Sequence, residues 1–339
     1  MARFTIITLA MAALLALGLA RGGIFAGLAL LYITLFTYFM DRIAALTAPD
    51  APAGQEFPAG HGLSLLLGLL HFPLLYGGVA ALNGATLAPV EKALCFFALA
   101  LFLGQVSNSN AHELIHRTSR WPRRLGVAVY CTLLFGHHAS AHRYVHHVHA
   151  ATDRDPNSAR LGEGFYAFAL RAWIGSFRQG LAAERTRRAR NAAARGLPPY
   201  AVYGFGALAS CVTALLIAGV TGLLWLLALA AYAQMQLLLS DYVQHYGLRR
   251  RQTPRGWEPV GPAHSWNAPQ GFSSALMLNA PRHSDHHARP QRAFPGLTLD
   301  RAAMPLLPHS LPVMATVALI PPLWRRIMDH RARDWAAPT

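Results

Sequence analysis

The chain has 339 residues, 53% of them apolar and only 13% charged, with a formal net charge of +15. Its length allows two soluble domains or one membrane domain, and the scarcity of charge favours the membrane domain. The positive charge does not mark a nucleic-acid binder, because the arginines flank long uncharged spans and no nucleic-acid-binding motif is present.

Residues 4–20 are apolar and uncharged, preceded by Arg3. That stretch fits a first membrane span or a signal peptide ending near Ala20; a span is the better reading, because a multi-span protein needs no removable signal. A second uncharged run, 22–40, ends at Asp41-Arg42, and a Pro/Ala/Gly linker follows at 43–60. The third run, 61–84, carries His71, read as an ordinary packed residue, and a turn through Asn83-Gly84 and Glu91-Lys92 leads to the fourth, 93–111. A hydrocarbon core about 30 Å thick needs about 20 helical residues, so each run suffices.

Residues 108–200 are polar, and their apolar piece 125–136 is too short to cross. Residues 197–240 carry no charge and fit two helices joined near Gly219-Val220-Thr221-Gly222. Residues 249–339 are again Arg-rich; prolines at 305, 308, 312, 321 and 322 make 304–324 a packed segment rather than a span. Three cysteines, Cys95, Cys131 and Cys211, share no ligand spacing and read as small buried hydrophobes.

The expected architecture is therefore an all-α integral membrane protein with six transmembrane helices. Residues 1–111 supply four spans and 201–244 two, with extramembrane segments at 112–200 and 245–339. The segments 108–200 and 249–339 hold 26 of the 30 basic residues, which places both in the cytoplasm, along with both termini.

Histidines punctuate the borders of these spans. His112-Glu113-Leu114-Ile115-His116 follows the fourth run directly. His142-Arg143-Tyr144-Val145-His146-His147 comes next, and in a helix it sets His142 and His146 one turn apart on one face, with His147 beside them. His245 follows the uncharged span, after Asp241, and His283-Ser284-Asp285-His286-His287 closes the series. These boxes hold nine of the 17 histidines. Buried rings need partners for two nitrogens, and stacked neutral imidazoles make sense as metal ligands. Zinc takes about four ligands, so nine exceed one metal and fit two ions of intermediate softness, with iron the natural choice for oxygen chemistry. Set among charge-free helices, such a site implies oxidation of a C–H bond in an apolar substrate.

The boxes resemble those of the membrane-bound alkane 1-monooxygenases, within the wider group of membrane fatty-acid desaturases and hydroxylases. The resemblance runs from about Asn110 to Asp329. It is carried by Ala111-His-Glu-Leu-Ile-His-Arg117, Ala151-Thr-Asp-Arg-Asp-Pro-Asn-Ser-Ala-Arg-Leu-Gly-Glu-Gly-Phe-Tyr166, His245-Tyr-Gly-Leu248, Arg282-His-Ser-Asp-His-His-Ala288 and Pro321-Pro-Leu-Trp324. It implies two non-haem irons, O2 as oxidant, terminal hydroxylation of hydrocarbons, and electrons from a rubredoxin served by an NADH-dependent reductase. Carried over position by position, the ligands are His112, His116, His142, His146, His147, His245, His283, His286 and His287. Glu113, Asp241 and Asp285 are candidates to orient ligand rings. Two boxes depart from the family pattern. Ala141 and Val145 stand where the second usually has Glu and Gly, and Asp241 and Gln244 where the third has Asn and Glu.

The expected location is the inner membrane, with the site on the cytoplasmic side. The Arg-rich stretch 185–195 offers that face to an acidic rubredoxin or to membrane lipid. Two other functions compete. A fatty-acyl, terpene or aryl-methyl desaturase or hydroxylase would share the site. A membrane zinc protease would use His112-Glu113-Leu114-Ile115-His116 as its H-E-x-x-H motif but leaves seven matched histidines unexplained.

Overall fold

A computed structural model of the protein describes residues 1–43, 57–191 and 196–336. Most of the linker at 43–60 and residues 192–195 of the Arg-rich stretch lie outside the described residues.

The described residues are mostly helical. Among the described residues, five helices are long and apolar enough to cross a membrane: α1 (Ala2–Arg21), α2 (Gly23–Ile43), α3 (Pro58–Asn83), α4 (Pro89–Ile115) and, after three others, a 46-residue element, Pro199–Gln244. Between them lie α5 (Arg120–Thr132), α6 and α7 (Phe165–Ala189). Helix α6 starts as His138–Ala141, loosens into a π turn at His142–His146 and ends with His147–His149. The long element is α8. A two-stranded hairpin, β1 (Gln252–Thr253) and β2 (Gly256–Trp257), follows it. Short helices complete the chain: α9 (Gly271–Leu276), α10 (His283–Ala288), α11 (Leu311–Ala318) and α12 (Pro321–Ala336).

Proline opens α3, α4 and α8 at positions where the missing N–H has no helical partner anyway. Glycine reverses the chain twice. Gly22 (φ 63°) and Gly23 (φ 56°) turn α1 into α2, and Glu91 at the start of α4 clasps the turn, accepting the Gly23 N–H at 2.5 Å and the Ala88 N–H at 2.7 Å. Within α8, Ala218 and Gly219 leave helical geometry, Gly219 with φ 60°. A Cβ on Gly222 would lie 2.5 Å from the carbonyl oxygen of Ala214, eight residues earlier. Eight residues of continuous helix span about 12 Å, so the chain has doubled back. The hairpin expected near Gly219 is therefore present, as one element folded on itself.

Two cores result. The larger packs α1–α5 against α8 through Leu15, Leu75, Leu99, Phe102, Leu226 and Ala233. The second lies beyond the spans and joins α7, the end of α8, α11 and α12 through Phe168, Tyr242, Tyr246, Met314 and Trp324. Trp324 lies 5.2 Å, ring to ring, from both Tyr242 and Tyr246. The proline-rich segment thus packs on the end of α8, as its prolines suggest. Between the two cores stand the histidines.

Candidate metal centre

Each box is delivered by an element that ends or bends at the same level. Helix α4 carries His112 in its last turn, with His116 just beyond. Helix α8 ends at Gln244, one residue before His245. Helices α6 and α10 bring the other six rings from the side.

All nine histidines meet, in two adjoining groups. One comprises His112, His116, His142, His147 and His286; the other comprises His146, His245, His283 and His287. Within each group the candidate ligand nitrogens lie within 4.8 Å of one another. In the first, His142 Nε2 lies 2.7 Å from His112 Nε2 and 2.9 Å from His147 Nε2, and His147 Nε2 lies 3.1 Å from His286 Nε2. In the second, His283 Nε2 is 2.9 Å from His245 Nε2 and 3.0 Å from His287 Nε2.

The second box divides differently from its helical spacing. His142 and His146 enter different groups, and His142 pairs with His147. The cause is the π turn, in which the His147 N–H reaches back five residues to the His142 carbonyl. Widening the turn lines up positions five apart, as π turns at functional sites often do.

The donor set suits metal ions. Two nitrogens each about 2.1 Å from one cation at a right angle would be about 3 Å apart, close to the separations seen. The Nε2 atoms of His116 and His146 are buried without a hydrogen-bond partner. Burial, reinforced by neighbouring imidazoles, holds His116, His142, His147, His245, His283, His286 and His287 well below the usual histidine range, so they stay neutral donors.

His146 behaves otherwise. Burial would lower it too, but the adjacent Asp155 raises it above its ordinary value. Asp155 Oδ2 lies 2.8 Å from His146 Nδ1 and accepts the Ser158 hydroxyl at 2.7 Å, and Oδ1 accepts the Asn157 N–H at 3.1 Å. Burial disfavours the charged form of Asp155, but the His146 ring and these donors hold its carboxyl below the usual range. The Asn157 amide also donates to Asp241 Oδ2 at 2.6 Å, tying both acids together. Asp155 was not singled out from the sequence. Its signal was a polar run, Asp155-Pro156-Asn157-Ser158, nine residues past His146 and too short to form a core.

The three acids picked from sequence have other partners. Glu113 Oε1 pairs with Arg117 and accepts the Phe294 N–H at 3.3 Å. Asp285 Oδ1 accepts from Arg289, while Oδ2 accepts the Thr298 N–H at 2.9 Å and pairs with Arg292 at 3.2 Å. Asp285 therefore steadies the loop after α10 instead of a ring N–H. Asp241, tied to Asp155 through Asn157, also walls a cavity that touches Tyr130, His112, His142 and His283. His138 lines the same cavity but belongs to neither group, and His137 bonds Ser176 at 3.3 Å. His71 meets Thr132 at 2.9 Å, far from the groups in chain and role.

Adjoining cavities continue from this one. The next shares Gly104, Ser109, Ser240 and Ala280 with it and reaches Gln105 and Gln236. A wider one, about 390 Å³, shares that Gln pair and opens between α2, α8 and α11 past Leu35 and Tyr38.

The sequence pattern of the fatty acid desaturase family matches residues 88–318. The chain is 35% identical over 247 residues to alkane 1-monooxygenase 1 of Alcanivorax borkumensis, covering 71% of this chain and 61% of that protein's length. Against alkane 1-monooxygenase 1 of Pseudomonas aeruginosa it is 31% identical over 304 residues, 85% of this chain and 78% of the other. It is also 28% identical over 282 residues to the xylene/toluene monooxygenase hydroxylase component of Pseudomonas putida, 80% of this chain and 73% of the other. With nine imidazoles converging at the ends of apolar helices and similarity of this extent, the chain belongs to the alkane 1-monooxygenase family, within the fatty acid desaturase group.

Proposed function

We propose that the protein is a di-iron monooxygenase that hydroxylates an apolar hydrocarbon, at the terminal carbon of an alkane. The observation that carries this reading is the grouping of nine buried or half-buried imidazoles into sets of five and four beside a series of adjoining cavities. His112, His116, His142, His147 and His286 would hold one iron, and His146, His245, His283 and His287 the other. When bound, the irons supply activation of O2, one atom of which enters a substrate C–H bond while the other leaves as water. The net reaction consumes one hydrocarbon, one O2, two electrons and two protons.

The chain's own residues position and exclude. Gly104, in the wall of the passage, lets α8 pack close, because a Cβ there would lie 2.6 Å from the Gln236 side chain. Buried Tyr130, Leu237 and the ring faces keep bulk water from the reacting carbon. Asp155 holds His146 with its Nδ1 turned outward and its Nε2 inward.

In this reading, the doubled-back α8 supplies two of six spans, and the Arg-rich segments put the site and both termini on the cytoplasmic side of the inner membrane. The chain has no nicotinamide fingerprint and no cysteine cluster for an iron–sulfur centre, so electrons come from a separate cytoplasmic donor, a rubredoxin reduced by its NADH-dependent reductase. A second reading, aryl-methyl hydroxylation, draws support from the similarity to the xylene/toluene enzyme. A zinc protease is disfavoured, because Glu113, its required base, is engaged by Arg117 and the Phe294 N–H.

Two measurements test the proposal. Metal analysis of purified protein should give two irons per chain, where a protease would hold one zinc. Cells expressing the protein with rubredoxin and its reductase, fed alkanes, toluene derivatives and fatty acids in parallel, should accumulate primary alcohols from the alkanes. Oxidation of only the aromatic or fatty-acid substrates would reassign the substrate.

A further inference from the structure

A second large cavity is lined by none of the nine histidines. It encloses about 690 Å³ between α5, α6, the end of α7 and the start of α8. Its mouth carries four arginines from three elements: Arg123 and Arg124 of α5, Arg143 of α6 and Arg187 of α7. Glu184 is its one acid, and the carboxylate is engaged: Oε1 accepts the Ser140 hydroxyl at 2.6 Å, and Oε2 pairs with Arg187 at 3.4 Å. Among the described residues, Arg123, Arg124 and Arg143 form no ion pair; Arg124 and Arg143 lie over the rings of Trp121 and Tyr144. Three positive charges are thus left in excess around one opening.

The wall is mainly apolar, with Ile115, Val127, Ala139 and Val202 beside the polar Thr132 and Ser140. It runs on to Phe205 and Leu208, which are 61% and 60% exposed on a helix apolar enough to lie in lipid. Beside the arginines, Trp121 is 76% exposed, a placement typical of the membrane interface. A cationic rim over an apolar wall that opens toward the bilayer fits one kind of molecule: an anionic headgroup with an acyl chain.

We propose that this cavity is a binding site for an anionic phospholipid, with its phosphate on Arg123, Arg124 and Arg143 and a chain along Val127 and Val202. Guanidinium groups match phosphate oxygens in geometry as well as charge. The anionic cytoplasmic leaflet supplies the ligand at high local concentration. The site does not depend on the reaction carried out at the histidines.

The test uses the full-length protein, delipidated in neutral detergent and titrated with short-chain phosphatidylglycerol, with Tm as readout. A saturable rise in Tm is expected, with phosphatidylcholine of the same chains producing none. R123Q/R124Q should weaken the apparent affinity about tenfold or more, as the loss of charge-assisted hydrogen bonds implies. R255Q/R301Q removes equal charge outside the cavity and should leave the affinity unchanged. Val127→Trp keeps every charge but fills the chain's groove, and it should weaken lipid binding as well. Equal stabilisation by phosphatidylcholine would overturn the proposal, as would equal loss in both arginine pairs. Competition by inorganic phosphate at the lipid's own concentration would show a simple anion site instead. If R123Q/R124Q raised the requirement for an acidic electron-donor protein and left lipid binding intact, the rim would be a protein dock and the lipid assignment wrong.

Discussion

Asp155→Asn should loosen one metal ion and spare the other. Asp155 touches His146 at 2.8 Å, and His146 belongs to the four-histidine group alone. The carboxylate is 2% exposed, so water cannot take its place. Asparagine keeps the shape but removes the charge, and it presents an N–H₂ either where Oδ2 now faces the ring and the Ser158 hydroxyl or where Oδ1 accepts the Asn157 N–H. Loss of such an outer partner costs about 10- to 100-fold in metal affinity. That range corresponds to roughly 1.4–2.8 kcal/mol. The five-histidine group has no contact with Asp155 among its rings, so its affinity should hold. The assay is iron per chain against chelator concentration. Wild-type protein should lose its two irons together or nearly so, and the variant should lose one of them at a chelator concentration lower by that factor. Parallel loss of both irons, or a titration identical to wild type, would refute the claim that Asp155 acts through His146 on a separate ion.

His146→Ala and His286→Ala should each abolish hydroxylation and leave membrane insertion intact, with each depleting one iron; spectroscopy should show different residual centres, because the two rings lie in different groups. Glu113→Gln should keep both irons and measurable activity, at a cost of about 1 kcal/mol in stability from its weakened bond to Arg117; iron loss would make Glu113 a ligand. Gly104→Ala should force Gln236 and α8 to shift at the wall of the passage, lowering Tm and altering chain-length preference in competition assays, whereas an unchanged product profile would place the substrate elsewhere. Turnover at subsaturating rubredoxin should fall as salt rises, because charges on the Arg-rich face are screened over about 8 Å at physiological ionic strength. A salt-independent half-saturation would remove electrostatic docking.

Much of this was legible in the sequence, and the exceptions share a cause. Uncharged runs located α1 to α4 to within a few residues, and Gly219 marked the reversal in α8. Histidine spacing found the rings that meet. It did not find how they divide, because α-helical periodicity pairs His142 with His146, and only the π turn pairs His142 with His147. No residue type encodes a π turn. The acids were harder still. Asp285 and Glu113 sit inside histidine boxes, yet their carboxylates turn away to Arg289, Arg292 and Arg117. The acid that does meet a ring, Asp155, is nine residues from it, in a segment with no helical repeat. Proximity in sequence says which backbones are close and little about where a short side chain points.

The division of ligands also constrains how the protein comes into being. Neither group is complete without α10, which gives His286 to one and His283 and His287 to the other. A ribosome adding about 5–20 residues per second needs roughly ten to thirty seconds to travel from His112 to α10. During that interval the nascent chain successively displays imidazoles from its earlier boxes but has no finished pocket. Metal captured early is held by few ligands and is readily lost. If the groups hold the two proposed ions, commitment to both waits for the last histidines to emerge, so metallation is timed by chain order.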